Sequence, residues 1–167
     1  ERLRLASDGT FTNSGSSSAP TSGSGWGFTT DQLYLSTAGT SANYALRFYN
    51  DNGLVGSVLV NGSGVTYNTS SDYRLKENEV TISDAISKVK QLKPYTFNFK
   101  ADSNTTIDGF FAHEAQEVIP YAVTGEKDAE EMQSMDYGKL TPLLTAALQE
   151  AISEIETLKS RLDALEG

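Results

Sequence analysis

Two hydrophobic periods divide the chain. Through residues 1–69 apolar positions tend to alternate with polar ones, as at Leu3 and Leu5, at Leu46 and Phe48, and in the runs VGSVLV and VTYN. Turn signals separate these runs: Asp8-Gly9, Asp51-Asn52-Gly53 and Asn61-Gly62. Alternation bounded by such dipeptides predicts short β-strands. Beyond it, Ile82, Ile86 and Val89 fall at helical spacing, with Ser83 as the expected N-cap and Pro94 after the end. Tyr95, Phe97 and Phe99 alternate as a strand does; Asp108-Gly109 reads as a turn, followed by a short strand or helix that stops near Pro120.

The last segment has a third pattern. Thr141-Pro142 predicts a helix start, with Thr141 as N-cap and Pro142 at the first helical position. Two rows then repeat every seven residues: Thr141, Leu148, Ile155, Leu162, and Leu144, Ala151, Leu158, Leu165. These are the a and d rows of a coiled coil. Glu154 at g faces Lys159 at e of a neighbouring chain, and Arg161 faces Glu166, opposite charges in both pairs. The competing reading is an amphipathic helix lying on its own domain, favoured by Ile152, which widens the stripe. Ile155 is the single β-branched aliphatic residue on either row, so the rows do not fix the oligomer number.

Charge sharpens the division. Residues 1–70 hold three basic and four acidic residues, a net of −1; residues 71–167 hold ten and eighteen, a net of −8. The total of −9 argues against nucleic acid as a partner. Without cysteine there is neither a disulfide framework nor a thiolate metal site, and the single His113 is too little for a histidine zinc site or a Ser-His-Asp triad. No metal or other cofactor is expected. No apolar run approaches the roughly 20 residues of a membrane span, so membrane insertion is not expected. The opening ERLRLASDGT has neither an initiator Met nor a signal sequence, and the chain reads as excised from something longer. The Ser/Gly/Thr tract from Ser14 to Gly25 has too little apolar surface to fold alone, leaving disorder or ordering by neighbouring chains.

The chemistry concentrates at the composition boundary, SSDYRLKENE from Ser70 to Glu79. A nucleophilic serine needs a base, and Lys76 is the nearest candidate to Ser71. Residues five apart share no face of a straight strand and lie about 140° apart on a helix, so a local Ser71–Lys76 meeting requires a turn; otherwise the lysine comes from a neighbouring chain. The plain alternative is a solvated linker in a Ser-rich tract. A carbohydrate-processing module is disfavoured: the β region offers only Glu1, Asp8, Asp31 and Asp51 as acids, and Trp26, Tyr34, Tyr44 and Tyr49 fit a thin fibre's core better than a sugar platform.

Four blocks in order, SDYRLKENE, ISDAISKVKQLKPYTFNF, GFFAHEAQEVIP and MDYGKLTPLLTAALQEAISEIETL, resemble the intramolecular chaperone auto-processing domain at the C-terminus of phage endosialidase tailspikes and tail fibres. The resemblance covers Ser71 to about Leu165. It implies an α+β C-terminal domain, residues 71–167, with a coiled-coil helix over 141–166, behind an all-β, intertwined trimeric fibre segment, residues 1–70. It implies a homotrimer, held through the C-terminal helix and the β segment, that directs folding of the fibre and then cuts itself off between Ser70 and Ser71. In that scheme Ser71 is the nucleophile and Lys76 the base. The released domain leaves the mature virion tail after assembly in the host cytoplasm, and recognition of a host surface receptor belongs to the full fibre. Supporting roles fall to Asp72, as a turn cap or lysine orienter, and to Arg74, acting on the lysine or on an oxyanion. Glu77, Glu79 and Glu114 are candidate resting partners that hold Lys76 charged until trimerisation. His113 reads as a surface or interface residue rather than a catalytic one. The alternative function is a trimeric structural or adhesion tip that does not cleave.

Overall fold

The computed structural model describes residues 4–5, 11–12, 25–28 and 33–166. Asp8-Gly9, Leu3 and all of the Ser14–Gly25 tract except Gly25 lie outside them. The chain divides into two compact units, Glu1–Asn78 and Glu79–Gly167.

The first unit is all antiparallel. Strands β1 (Arg4–Leu5), β2 (Phe11–Thr12), β3 (Gly25–Phe28) and β4 (Leu33–Ser36) follow one another in a sheet. Strands β5 (Asn43–Asn50), β6 (Gly53–Asn61) and β7 (Gly64–Thr69) form a separate meander. Both turn signals within it act as expected. Gly53 leaves the first turn at φ +94° and Gly62 makes the second at φ +48°, left-handed conformations that glycine adopts without steric cost. The meander pairs Thr69 with Gly56 at its end. Its surface is the informative feature. Among residues 35–78 Ser57 is the one that is buried, while Phe48, Tyr49, Val65 and Tyr67 are exposed. A sheet wet on both faces has no core of its own to hold it.

The second unit is α+β. It comprises helix α1 (Ala85–Val89), the hairpin of β8 (Tyr95–Phe99) and β9 (Asp102–Gly109), helix α2 (Ala112–Val118), a strand pair of β10 (Val123–Thr124) with β11 (Ser134–Met135), and the long helix α3 (Thr141–Glu166). Its core is Ala85, Ala115, Ile119, Ala122, Leu140, Leu143 and Ala147. Four of those seven are alanines, so Ile119 and Leu143, the two large side chains that are fully buried, supply most of the volume.

Three local expectations give way. Ser83 does not cap α1; the cap position is Asp84, left-handed at φ 55°, with no side-chain cap bond. The orphan amides of Ala85 and Ile86 donate instead to Oε1 and Oε2 of Glu150 on α3, each at 2.9 Å. Thr141 is not an N-cap, because a 3-10 turn over Tyr137–Leu140, capped by Asp136, runs directly into α3. Pro142 therefore sits second in the helix, within the first turn where a missing N–H costs nothing. Asp108-Gly109 is the end of β9 and not a turn: Gly109 pairs with Tyr95, and Thr96 Oγ1 donates to Asp108 Oδ1 at 2.6 Å.

Helix α3 has 26 residues and two unequal halves. Leu143 and Ala147 face the core and Glu150 caps α1, yet every residue from Ile152 to Glu166 is exposed. Leu144, Leu148, Ile155, Leu158 and Leu162 are each about half exposed or more. The heptad rows are thus the face that the helix does not use on its own unit.

Candidate functional site: the serine-lysine turn

The hairpin register decides where Ser70 lies. One step past the Thr69–Gly56 pair, the Ser70 amide donates to the Val55 carbonyl at 3.1 Å and its Oγ donates to the Leu54 carbonyl at 2.6 Å. The residue on the carbonyl side of the Ser70–Ser71 bond is therefore pinned to the edge of β6.

The next six residues supply the turn that a local meeting requires. Asp72 has extended backbone angles and caps a single 3-10 turn, Tyr73–Leu75, by accepting from the Arg74 amide at 2.9 Å. Leu75 N donates to Asp72 O at 3.1 Å and Lys76 N to Tyr73 O at 3.0 Å. Arg74 closes the turn from the side, its Nε 2.9 Å from Asp72 Oδ1 and its Nη2 2.8 Å from Oδ2, a two-point ion pair. The chain reverses, and Lys76 Nζ arrives 2.8 Å from Ser71 Oγ.

Electrostatics follow from these contacts. The Arg74 side chain, then its backbone amide, hold the Asp72 carboxyl below its ordinary range, with a smaller contribution from the nearby Lys76 charge. Asp72 in turn raises the guanidinium. All of residues 70–80 are exposed. A charged Lys76 donates to the hydroxyl; a neutral amine in the same place can accept the serine proton along the same line.

The other expected participants divide. Asp72 and Arg74 are in the turn, Asp72 in the capping role and Arg74 bound to it. Glu77 and Glu79 form no ion pair with Lys76 among the described residues. Glu114 lies in the second unit, where Lys93 Nζ at 3.0 Å and the Tyr95 hydroxyl at 3.4 Å both donate to its Oε1. The Lys93 contact is the main reason that its carboxyl is held low. Within the first unit, Lys76 meets Ser71. His113 lies on α2 with its ring 6.0 Å from Phe111, in the second unit.

Motif reading missed the Leu54 and Val55 carbonyls, since backbone acceptors leave no mark in a side-chain pattern. The signal existed in the Asn61-Gly62 turn, whose hairpin register carries Ser70 to Val55. Among the described residues no three His, Cys, Asp or Glu side chains are grouped to hold a metal ion, and no helix is long and apolar enough to cross a membrane.

Comparison with known proteins adds one match. Residues 71–124 fit the family model described as chaperone of endosialidase, whose name also marks it as a peptidase family. No curated protein matches the chain. The match begins at the serine that Lys76 contacts, and residues 71–124 are similar to the chaperone-of-endosialidase family.

Proposed function

We propose that this chain is the C-terminal part of a phage tail fibre or tailspike whose chaperone domain assembles as a homotrimer, guides folding of the β segment before it, and then severs the Ser70–Ser71 bond. The observation that carries the cleavage step is the 2.8 Å approach of Lys76 Nζ to Ser71 Oγ at the first residue of the family match.

The chemistry is intramolecular. Neutral Lys76 takes the Ser71 hydroxyl proton as Oγ attacks the Ser70 carbonyl carbon, giving a tetrahedral oxyanion. Collapse breaks the bond from Ser70 carbon to Ser71 nitrogen, and the lysine returns the proton to the departing amine. The product is an ester between Ser70 and Ser71 Oγ; water then hydrolyses it to a Ser70 carboxylate and a free Ser71 hydroxyl. The nucleophile is attached to its own leaving group, so proximity comes from covalent structure, and the β6 carbonyls that hold Ser70 restrict the acyl side.

Assembly is supported by what one chain leaves uncovered: a meander with no buried apolar side chain among its described residues, and a helix whose heptad rows face solvent. Registering three strands of low apolar content carries a large ordering entropy before contacts compensate it. A trimeric domain joined to them raises their local concentration and sets register. Loss of that domain afterwards would remove the route back and trap the fibre kinetically in the virion tail.

The test is intact mass under denaturing conditions for the unaltered chain, Ser71→Ala and Lys76→Ala. Two fragments divided between Ser70 and Ser71 in the first, and one full-length species in each variant, are expected. One uncut mass in all three removes the protease and leaves the non-cleaving trimeric tip.

A further inference from the structure

The turn contains a conflict that simple Ser-Lys chemistry would avoid. Asp72 lies close enough to Lys76 for the lysine charge to act on it, and a free carboxylate beside a lysine is a poor neighbour for a base. It would draw the ammonium away from the serine and hold its proton. Yet Lys76 Nζ is on Ser71 Oγ at 2.8 Å, and the ion pair that Asp72 makes is with Arg74. Arg74 takes one oxygen through Nε at 2.9 Å and the other through Nη2 at 2.8 Å.

We propose that Arg74 is a guard residue: by occupying both oxygens of Asp72 it keeps that carboxylate for capping the turn, keeps it off Lys76, and leaves the amine to Ser71. The proposal rests on the self-cleavage reading above and assigns Arg74 a positioning role, acting through Asp72. A lysine at the same place would bind as a point charge and cover one oxygen at a time, whereas the planar guanidinium matches both.

The surroundings leave few competitors. Strands β6 and β7 carry no charged residue, and Tyr67 is their one titratable group. On β5, Arg47 sits over the Tyr44 ring at 3.9 Å. Asp51 lies in the β5–β6 turn, Tyr73 lies within the 3-10 turn itself, and Glu77 and Glu79 follow Lys76 without pairing to it among the described residues. Asp72 is therefore the carboxylate best placed to intercept the amine.

Three variants separate the charge from the cap. Arg74→Ala frees the Asp72 carboxylate. Asp72→Asn with Arg74→Ala removes the charge as well, while the side-chain amide oxygen left at position 72 can still accept from the residue-74 backbone N–H. Arg74→Lys retains a cation without the fork. Full chains made by cell-free translation are shifted into buffers from pH 6 to 10, and loss of uncut chain is followed on denaturing gels.

Arg74→Ala is expected to cleave about three- to tenfold more slowly at pH 7, with its pH–rate profile moved to higher pH. The double variant is expected to move back toward the original profile, and Arg74→Lys to lie between. A slow Arg74→Ala with an unmoved profile and no recovery in the double variant overturns the proposal, as does an Arg74→Ala that cleaves normally.

A second readout does not depend on cleavage. In uncut Ser71→Ala chains, the titration of isotope-methylated Lys76 is compared with and without the same changes. The same order of midpoints, highest for Arg74→Ala, supports the guard even if no chain ever cuts; coincident midpoints overturn it even if cleavage is confirmed.

Discussion

Leu143 and Leu158 lie fifteen positions apart on one helix, and the same truncation should destabilise the protein in different ways at the two, one independent of chain concentration and the other dependent on it. Leu143 is 1% exposed, one of two large side chains fully buried in the second unit. Leu143→Ala should cost about 3 kcal/mol, the usual loss for a buried leucine with incomplete collapse of the cavity. Against a stability of about 0.1 kcal/mol per residue, this is roughly a third of what a unit of this size has. Leu158 is 59% exposed, so little is lost within one chain. If its row is the seam between copies, its remaining surface is worth about 1 kcal/mol, half of a fully buried leucine. Three chains make about 3 kcal/mol per trimer, roughly 100-fold in the dissociation constant. The assay is denaturant unfolding of the Ser71→Ala chain at several concentrations, paired with sedimentation. Leu143→Ala should lower the midpoint at every concentration; Leu158→Ala should act only where the assembly dissociates. Equal, concentration-independent losses in both would show that α3 packs its heptad face on its own chain and refute the seam.

Glu150 should give the second unit an acid limb. The Ile86 amide, then that of Ala85, hold its carboxyl below the usual value, so its contribution is present above about pH 4.5 and lost as the pH falls through the lowered folded value. Glu150→Gln should flatten that limb in melting curves taken from pH 7 to 3 and speed hydrogen exchange at Ala85 and Ile86; an unchanged limb assigns it to other carboxyls. Gly109 has no room for a side chain: a Cβ there would stand 2.8 Å from Tyr137 Oη and 3.2 Å from Phe97 Cε1. Gly109→Ala should cost about 1–3 kcal/mol in unfolding experiments, and Tyr137→Phe in the same chain should recover part of it; a neutral Gly109→Ala would mean that the ring moves freely.

What the sequence revealed and what it hid divide by distance along the chain. Ser71 and Lys76 are five residues apart, and the need for a turn between them follows from backbone geometry alone. The turns at Gly53 and Gly62 were legible for the same reason, because a left-handed residue advertises itself as glycine. The caps were not. Ser83 had the right chemistry, but Glu150, 65 positions away from Ala85, satisfies two amides at once and leaves no need for it. Thr141 likewise yields to Asp136, since a 3-10 turn joined to α3 moves the start of the helical chain upstream. Asp108-Gly109 shows the reverse error: a dipeptide that favours turns is held straight by its pairing with Tyr95 and Thr96. The heptad rows were legible as a face, while the use of Leu143 and Ala147 for packing on the unit's own core required the structure.

The order of events remains the most demanding consequence. A serine-lysine pair works as a base and nucleophile only when the amine is neutral, and water around a lysine favours the charged form. In the single chain residues 70–80 are all exposed, and the meander beside them lacks a core. Covering that meander with two further copies would remove water from the edge of β6 where Ser70 is pinned, so one event would fold the strands and switch on the base. Cleavage would then follow assembly without any acid having to be displaced from Lys76. Fresh chains diluted below the concentration at which they associate should stay uncut, and the lag before cleavage should shorten steeply as concentration rises. Appearance of fragments at a single rate across the whole dilution series would show that the pair acts within one chain, and the link between covering the strands and activating the lysine would fall.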